Sequence, residues 1–255
     1  MLMGKIYAMS DIHGYFEIME ENLKKIELDD KENQLIFCGD YIDYGPESCK
    51  VLYRIKDLMD MYPNQIIALK GNHETMFLEF LEADDEDVWN IEWIGGDKQL
   101  STLRTFISQD IQEIIKDLER GIHNPIELAY ELAKISKEDI KKNHRDLIIW
   151  LKDLPLYYER ENQIFVHAGI DEEAEELWKY ITLEEIFVSK YPASFGKFYK
   201  DIIAGHVGTY SLKNEKGFHD IYWDGESHYY IDGTVEVSAR IPLLIYDKKT
   251  GEYIY

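Results

Sequence analysis

Positive charge is scarce in this chain of 255 residues: 28 lysines and arginines face 50 aspartates and glutamates, a formal net charge of -22. Such a surface repels duplex DNA and anionic membranes, so neither is expected as the main partner. It also sets a difficulty for any phosphate-bearing substrate, which needs a local positive field. Cysteine is nearly absent; Cys38 and Cys49 are too few for a disulfide framework at this length, and Cys38 lies in an apolar run where a small buried thiol fits. No stretch approaches the roughly 18 consecutive apolar residues of a membrane span. The opening MLMGKIYAMSDIHG has no basic segment followed by a long apolar one. No secretory leader is therefore expected, and a reducing cytoplasm is the default. Repeats, low-complexity tracts and Pro/Ser-rich linkers are also missing, so one domain over 1–255 is expected.

What is present is enough apolar material for an ordered core, with 45% hydrophobic and 13% aromatic residues. Five short apolar runs each end in a turn or polar cluster: KIYAMSD (5–11), QLIFCGD (34–40), QIIALKGNHE (65–74), QIFVHAG (163–169) and DIIAGH (201–206). Their near-continuous apolar character suits strands buried on both faces. Between the first two, YFEIMEENLKKIEL places Phe16, Met19, Leu23 and Ile26 on one helical face. Between the next two, ESCKVLYRIKDLMDMY does the same with Val51, Ile55, Leu58 and Met59. Alternating strand and helix predict a layered α/β domain with right-handed crossovers. From about 75 to 155 the pattern turns helical, in ETMFLEFLEADDEDVWNIEW, STLRTFISQDIQEIIKDLER and NPIELAYELAKISKEDIKKNHRDLIIWLKDL, with breaks at 95–97 and 121–125. This reads as a helical insertion. After 206 the chain reads as β, in HDIYWDG, SHYYIDGT, VEVSAR and IPLLIYDKKTGEYIY, with DGES and KKTGE as hairpin turns.

The strand ends carry the chemistry. The first is followed by Asp11, His13 and Gly14, and the second by Gly39, Asp40, Asp43, Tyr44 and Gly45. The third leads to Gly71, Asn72, His73 and Glu74, the fourth to His167 and Gly169, and the fifth to Gly205 and His206. Loops at the carboxyl ends of parallel strands converge on one crevice. Carboxylate, imidazole and amide ligands gathered there suit Mn, Fe or Zn better than Ca or a thiolate-held metal. Taken singly, each motif has an ordinary reading: a turn with a solvated histidine, a helix start capped by Asn72, a satisfied core histidine at His167. The specificity lies in five such motifs in order.

That series, D-x-H-G, G-D-x-x-D-x-G, G-N-H-E, H-A-G and G-H, resembles that of the calcineurin-like metallophosphoesterases. Within them it is most similar to the PPP-type branch of serine/threonine protein phosphatases, phage phosphatases and bacterial diadenosine tetraphosphatases. The likeness runs from about residue 5 to 235. YYIDGT is similar to that branch's IDTG strand, and WIGGDKQLSTLRTF to a W-x-N-G-G-x-x-T-L segment of bacterial members. The resemblance implies a two-sheet β-sandwich flanked by helices (α/β/β/α) and two divalent metal ions, Mn2+ first, with Fe or Zn also suited. Asp11 and His13 would bind the first metal, Asp40 would bridge both, and Asn72, His167 and His206 would complete the second. Gly208 stands where the wider superfamily places a second histidine, as it does in the PPP-type branch.

The implied reaction is hydrolysis of a phosphate ester by metal-hydroxide attack, with His73 as general acid and Asp43 holding its tautomer. A serine/threonine protein phosphatase-like enzyme acting on a phosphoprotein is the leading reading. The alternatives are a nucleotide phosphohydrolase, on a dinucleoside polyphosphate or phosphodiester, and a catalytically weak metal-bound protein that binds a phosphorylated ligand. Tyr44 departs from the branch, which reads G-D-x-x-D-R-G and uses that arginine on the phosphoryl oxygens. A tyrosine donates one hydrogen bond but not a bidentate charged fork. A second phosphate-binding arginine is expected between the last two histidines, yet the stretch from Ala168 to Gly205 offers only Lys179, Lys190, Lys197 and Lys200. Tyr44 and Asn72 are thus the candidate substrate contacts, and Lys197 or Lys200 is weighed as a stand-in against the ordinary reading of a solubilising charge. Ser10, in place of the usual glycine before Asp11, is a smaller departure. Arg54 and Arg104 read as helix-surface ion pairs, with Arg104 alternatively facing the crevice. His123, His144, His219 and His228 read as surface or structural.

Overall fold

The structure, a computed structural model, describes residues 4–95 and 99–255. The chain first lays down β1 (Lys5–Met9), β2 (Gln34–Phe37) and β3 (Ile66–Ala68), with α1 (Phe16–Leu23) and α2 (Ser48–Met61) as crossovers. Then come α3 (Asn72–Glu82), α4 (Trp89–Gly95), α5 (Gln99–Phe106), α6 (Gln109–Gly121), α7 (Pro125–Asn143) and α8 (Arg145–Lys152). The hairpin of β4 (Tyr157–Glu159) and β5 (Gln163–Val166) follows. Beyond it lie α9 (Trp178–Ile181), α10 (Glu184–Ser189), β6 (Asp201–Ala204) and α11 (Thr209–Leu212). The chain closes with β7 (Tyr222–Trp223), β8 (His228–Tyr230), α12 (Val235–Ser238), β9 (Leu244–Asp247) and β10 (Glu252–Ile254).

Two five-stranded sheets result, in the orders β10-β9-β1-β2-β3 and β4-β5-β6-β8-β7. In the first, β1, β2 and β3 are parallel, with Tyr7 opposite Leu35; in the second, β5, β6 and β8 are parallel. Side-chain alternation explains the layering. Ile6, Ala8 and Ile36 meet Phe165, Ile203 and Tyr229 between the sheets. Tyr7, Met9, Leu35 and Phe37 point outward, into the core shared with α1, α2 and the helices of the insertion. Ile164, Val166, Ile202 and Ala204 pack beneath Trp178 and Phe187, from α9 and α10. Strands apolar on both faces therefore give the expected α/β/β/α order, each large buried side chain contributing about 1.5–3 kcal/mol.

Several expected elements are cut differently. The helix expected through Ile26 ends at Leu23, and Ile26 is buried from the turn that follows. The first helix of the insertion splits between Glu82 and Trp89, where Asp84, Asp85, Glu86 and Asp87 would repel one another within a helix. The second splits at Ser108, whose N–H and hydroxyl are both held by Asp139. The third bends at His144, which Tyr53 and the Phe106 carbonyl fix from either side. The break expected at 95–97 falls largely outside the described residues. VEVSAR, expected as a strand, is the short helix α12 between left-handed Thr234 and Ala239. A strand would put Val235 and Val237 on one face; Val235 is 1% exposed and Val237 73%.

His228 is structural, buried between Glu172 (3.0 Å) and Asp224 (2.9 Å). Burial pushes its imidazole down, but the two carboxylates outweigh this and raise it above 6.5. Burial likewise pushes the Glu172 carboxyl up, and His228 holds it down to about 2. The histidine's contribution to stability is then complete below 6.5 and lost as pH rises through its raised value. The contribution of Glu172 is present above 4.5 and lost as pH falls through about 2. His228→Gln is expected to lower Tm most at about pH 5–6, with the deficit narrowing in alkali. Calorimetry across that range checks this, and a deficit constant with pH would contradict it.

Candidate metal centre and active site

The five strand-end loops meet at the carboxyl ends of the parallel strands. Asp11, His13, Asp40, Asp43, Tyr44 and His206 all adopt left-handed backbone there, with φ between 46° and 72°. Aspartate and histidine tolerate that region, a bulky tyrosine far less, and such conformations gather at functional sites. The loops are tied to one another: Ile12 N–H donates to Asp40 O at 2.8 Å, and Gly45 N–H to His13 O at 2.7 Å. Glycine precedes the ligand positions where backbones must approach closely. A Cβ on Gly71 would stand 2.2 Å from Asp40 Oδ1, and one on Gly205 2.2 Å from Asp11 Oδ2.

Asp40 is the centre of the arrangement. Its Oδ2 lies 3.3 Å from His167 Nε2, 3.8 Å from His73 Nε2 and 3.9 Å from His13 Nε2. Two groups of donors, His13–Asp40–His73 and Asp40–His167–His206, each hold their ligand atoms within 4.8 Å of one another, and Asp40 belongs to both. Asp11 sits at the edge, its Oδ1 4.0 Å from His13 Nε2 and its carboxylate accepting the His206 N–H. Orientation is set from behind. His13 Nδ1–H donates to Ile42 O and His167 Nδ1–H to Cys38 O, both at 2.8 Å, which turns each Nε2 lone pair toward the cluster. His73 Nδ1 is 2.6 Å from Asp43 Oδ2, leaving its Nε2 facing Asp40.

Two observations test whether this donor set fits cations. The inner end of the Asn72 amide is 2.9 Å from His167 Nε2, 3.0 Å from His206 Nδ1 and 3.3 Å from Asp40 Oδ2. With oxygen there, it faces the acceptor atoms of His206 and Asp40 around His167 Nε2, an arrangement a cation in place of the His167 proton also satisfies; with nitrogen there, the amide donates to them instead. Charge gives the second test. Asp11, Asp40, Asp43 and Asp232 are all buried, and among the described residues no lysine or arginine forms an ion pair with them. Buried carboxylates are costly without compensation. Burial, then Asp232, pushes the Asp11 carboxyl well above its usual range. His167 is pushed down by burial, but Asp40 outweighs this and raises it to about 10, a proton supplying charge the pocket demands. Burial and the charge of His167 lower His206 to about 4, so the ring is neutral at pH 7 and one of its nitrogens keeps a free lone pair. The site fits divalent cations.

The remaining expected residues fall into place as follows. Tyr44 stands at the rim, its ring 4.7 Å edge-on from His13 and 5.5 Å from His73. Lys200 is held by Glu159 and the Arg160 carbonyl, and Lys197 is exposed. Arg104 pairs with Glu119 and Arg54 with Glu20. Sequence reasoning missed two acids. Glu74, fully buried, accepts N–H bonds from Asp40 (2.9 Å), Tyr41 (2.8 Å) and Gly71 (3.0 Å), clamping the second loop onto the third. Its first-turn position beside Asn72 was the available signal. Asp232, in the YYIDGT run, is buried and its charge bears on Asp11.

Comparison with known proteins bears on the family and the fold. The family model described as calcineurin-like phosphoesterase matches residues 4–237. Serine/threonine-protein phosphatase 2 of Escherichia coli (strain K12) is 36% identical over 92 residues, 36% of this chain and 38% of that protein. The symmetrical bis(5'-nucleosyl)-tetraphosphatase of Buchnera aphidicola subsp. Acyrthosiphon pisum (strain 5A) is 29% identical over 162 residues, 58% of this chain and 56% of its own. The matches thus span between about two-fifths and three-fifths of these relatives' length. The cold-active protein-tyrosine phosphatase of a Shewanella species shares the fold, with a TM-score of 0.56 at 16% identity over 99% of this chain and 80% of that one. A yeast protein serine/threonine phosphatase does so at 0.53 and 13% identity, over 97% and 74%. The chain belongs to the calcineurin-like phosphoesterase family.

Proposed function

We propose that the chain is a single-domain, two-metal phosphoester hydrolase. The observation that carries this is Asp40, shared by two donor groups, with the His73–Asp43 pair at 2.6 Å beside it. Asp11, His13 and Asp40 would hold one cation, and Asp40, Asn72, His167 and His206 the other, with Mn2+ first among those the donors suit. When bound, such a pair offsets phosphoryl charge and brings the pKa of a water toward about 7. His73 presents Nε2 to the cluster and can pass a proton from it to the departing ester oxygen. Burial pushes its imidazole down, but Asp40 and Asp43 outweigh this and raise it to about 9; with cations on Asp40, the Asp43 hydrogen bond is the contact that favours a proton on the ring. Asp43 fixes the tautomer. A protein that only binds a phosphorylated ligand has no use for this pair.

Serine/threonine protein phosphatase-like hydrolysis is the general activity we assign, supported by the matches to phosphatases named for it. A nucleotide phosphohydrolase is the second reading, favoured by the missing arginine beside Asp43 and by the tetraphosphatase relatives. The two free cysteines support a cytoplasmic location, and the charge of -22 supports a partner other than nucleic acid or membrane. Among the described residues, no helix is long and apolar enough to cross a membrane. The test is turnover of p-nitrophenyl phosphate, a phosphoserine peptide and diadenosine tetraphosphate, abolished by EDTA and restored by Mn2+. Absence of turnover on all three with metal bound would contradict the proposal.

A further inference from the structure

Large apolar side chains stand in water along the stretch that follows the fourth strand-end loop: Leu177, Tyr180, Ile181, Leu183, Tyr191 and Phe195 are all exposed. Single exposed apolar residues are ordinary, but a group of them rimmed by charge marks an interaction surface. Leu183 and Tyr191, 67% and 80% exposed, line one hollow of about 720 Å3 together with Ile170 and Ile186. The rim of this hollow is acidic. Asp171, Glu173 and Glu185 belong to its lining, and among the described residues no lysine or arginine forms an ion pair with them. The lysine in the lining, Lys190, is taken: its Nζ donates to Ile170 O at 2.6 Å and to Glu172 at 3.0 Å, and Glu172 also holds His228.

Contacts tie the hollow to the metal-ligand cluster. Ile170 lies three residues beyond His167, and the Ala168 N–H donates to Phe187 O of α10 at 2.8 Å. The Lys190 stem packs on Gly169, where a Cβ would stand 2.5 Å from its Cδ. Val188 O, two residues before Lys190, is 3.2 Å from the inner end of the Asn72 amide. An extended peptide advances about 3.3–3.6 Å per residue, so positions within about six of a phosphorylated side chain at the cluster reach the hollow.

Charge selects the occupant. A second copy of this chain, with a net charge of -22, sets like charge against the acidic rim, and a small anion meets the same repulsion. A segment that carries lysine or arginine next to an apolar residue answers both features: the cation meets the carboxylates, and the apolar side chain covers Leu183 and Tyr191. We infer that this hollow docks a basic, apolar-anchored segment flanking the phosphorylated residue of a protein substrate. The inference rests on the serine/threonine phosphatase-like reading and names the class of phosphoprotein it would serve.

The experiment measures kcat and KM of the full chain in Mn2+ for phosphoserine peptides that carry either arginine and leucine or glutamate and leucine at positions two to six from the phosphoserine, on each side in turn. The arginine peptide is expected to be preferred in kcat/KM by about tenfold or more on at least one side, through KM, with the preference shrinking as salt is raised. Glu173→Lys combined with Glu185→Lys should cut that preference at least about fivefold and leave turnover of p-nitrophenyl phosphate, too small to reach the hollow, unchanged. Glu173→Gln with Glu185→Gln serves as a milder second pair, and Tyr191→Ala should raise KM for the arginine–leucine peptide. Glu127→Lys with Glu131→Lys, on α7, changes the net charge equally and is expected to leave the preference in place. Equal use of the two peptides, or a preference that the α7 pair moves as much as the hollow pair, overturns the inference while leaving the phosphatase-like reading standing. Turnover of p-nitrophenyl phosphate without turnover of any phosphopeptide overturns that reading as well.

Discussion

Replacing Asp40 by asparagine is expected to empty both cation positions at once. Its carboxylate lies within 3.3–3.9 Å of three imidazoles and is the member common to both donor groups. An amide offers one oxygen and no charge, so neither ion keeps its shared anionic ligand. The backbone should hold, because the Asp40 N–H still reaches Glu74 and an asparagine Oδ1 can still accept the His73 N–H now at 3.1 Å. Metal catalysis of this kind is worth several kcal/mol, so activity should fall by at least about 10³-fold. Mass spectrometry of Mn2+-dialysed protein should find well under one ion per chain. Two retained ions would show that Asp40 bridges nothing.

His73→Asn should behave differently. The structure places His73 Nε2 in one of the donor groups, so both a ligand role and a proton-donor role are open to its geometry. As donor, its loss should leave metal content intact and lower kcat by about 10²–10⁴. The loss should also depend on the leaving group. An alkoxide such as that of phosphoserine needs a proton and should suffer most, whereas p-nitrophenolate departs largely unaided. A uniform loss across leaving groups, accompanied by loss of an ion, would make His73 a ligand instead.

The grouping of the candidate ligands was legible because each sits at a fixed place after an apolar run, and the parallel strands of the two sheets present their carboxyl ends to one place. Nothing about Asp11 alone announces His206; the common end of β1 and β6 does. The layering was legible for the same reason, since a strand like KIYAM is apolar on both sides and must be covered twice. What stayed hidden depends on contacts distant in sequence or on backbone states without a residue signature. Glu74 looks like a first-turn acid, but its bonds reach back 33 and 34 residues to Tyr41 and Asp40. The short helix α12 was hidden by V-E-V, whose alternation mimics a strand, and by left-handed turns built on threonine and alanine where glycine would have given warning. The acidic run at 84–87 breaks a helix through repulsion that an apolar periodicity does not register.

The account rests on two cations sharing Asp40, and anomalous diffraction from crystals grown with Mn2+ tests it most directly. It predicts two peaks, one among Asp11, His13 and Asp40 and one among Asp40, Asn72, His167 and His206, with an oxygen of Asp40 between them. A single peak, or two peaks that do not share Asp40, would contradict it.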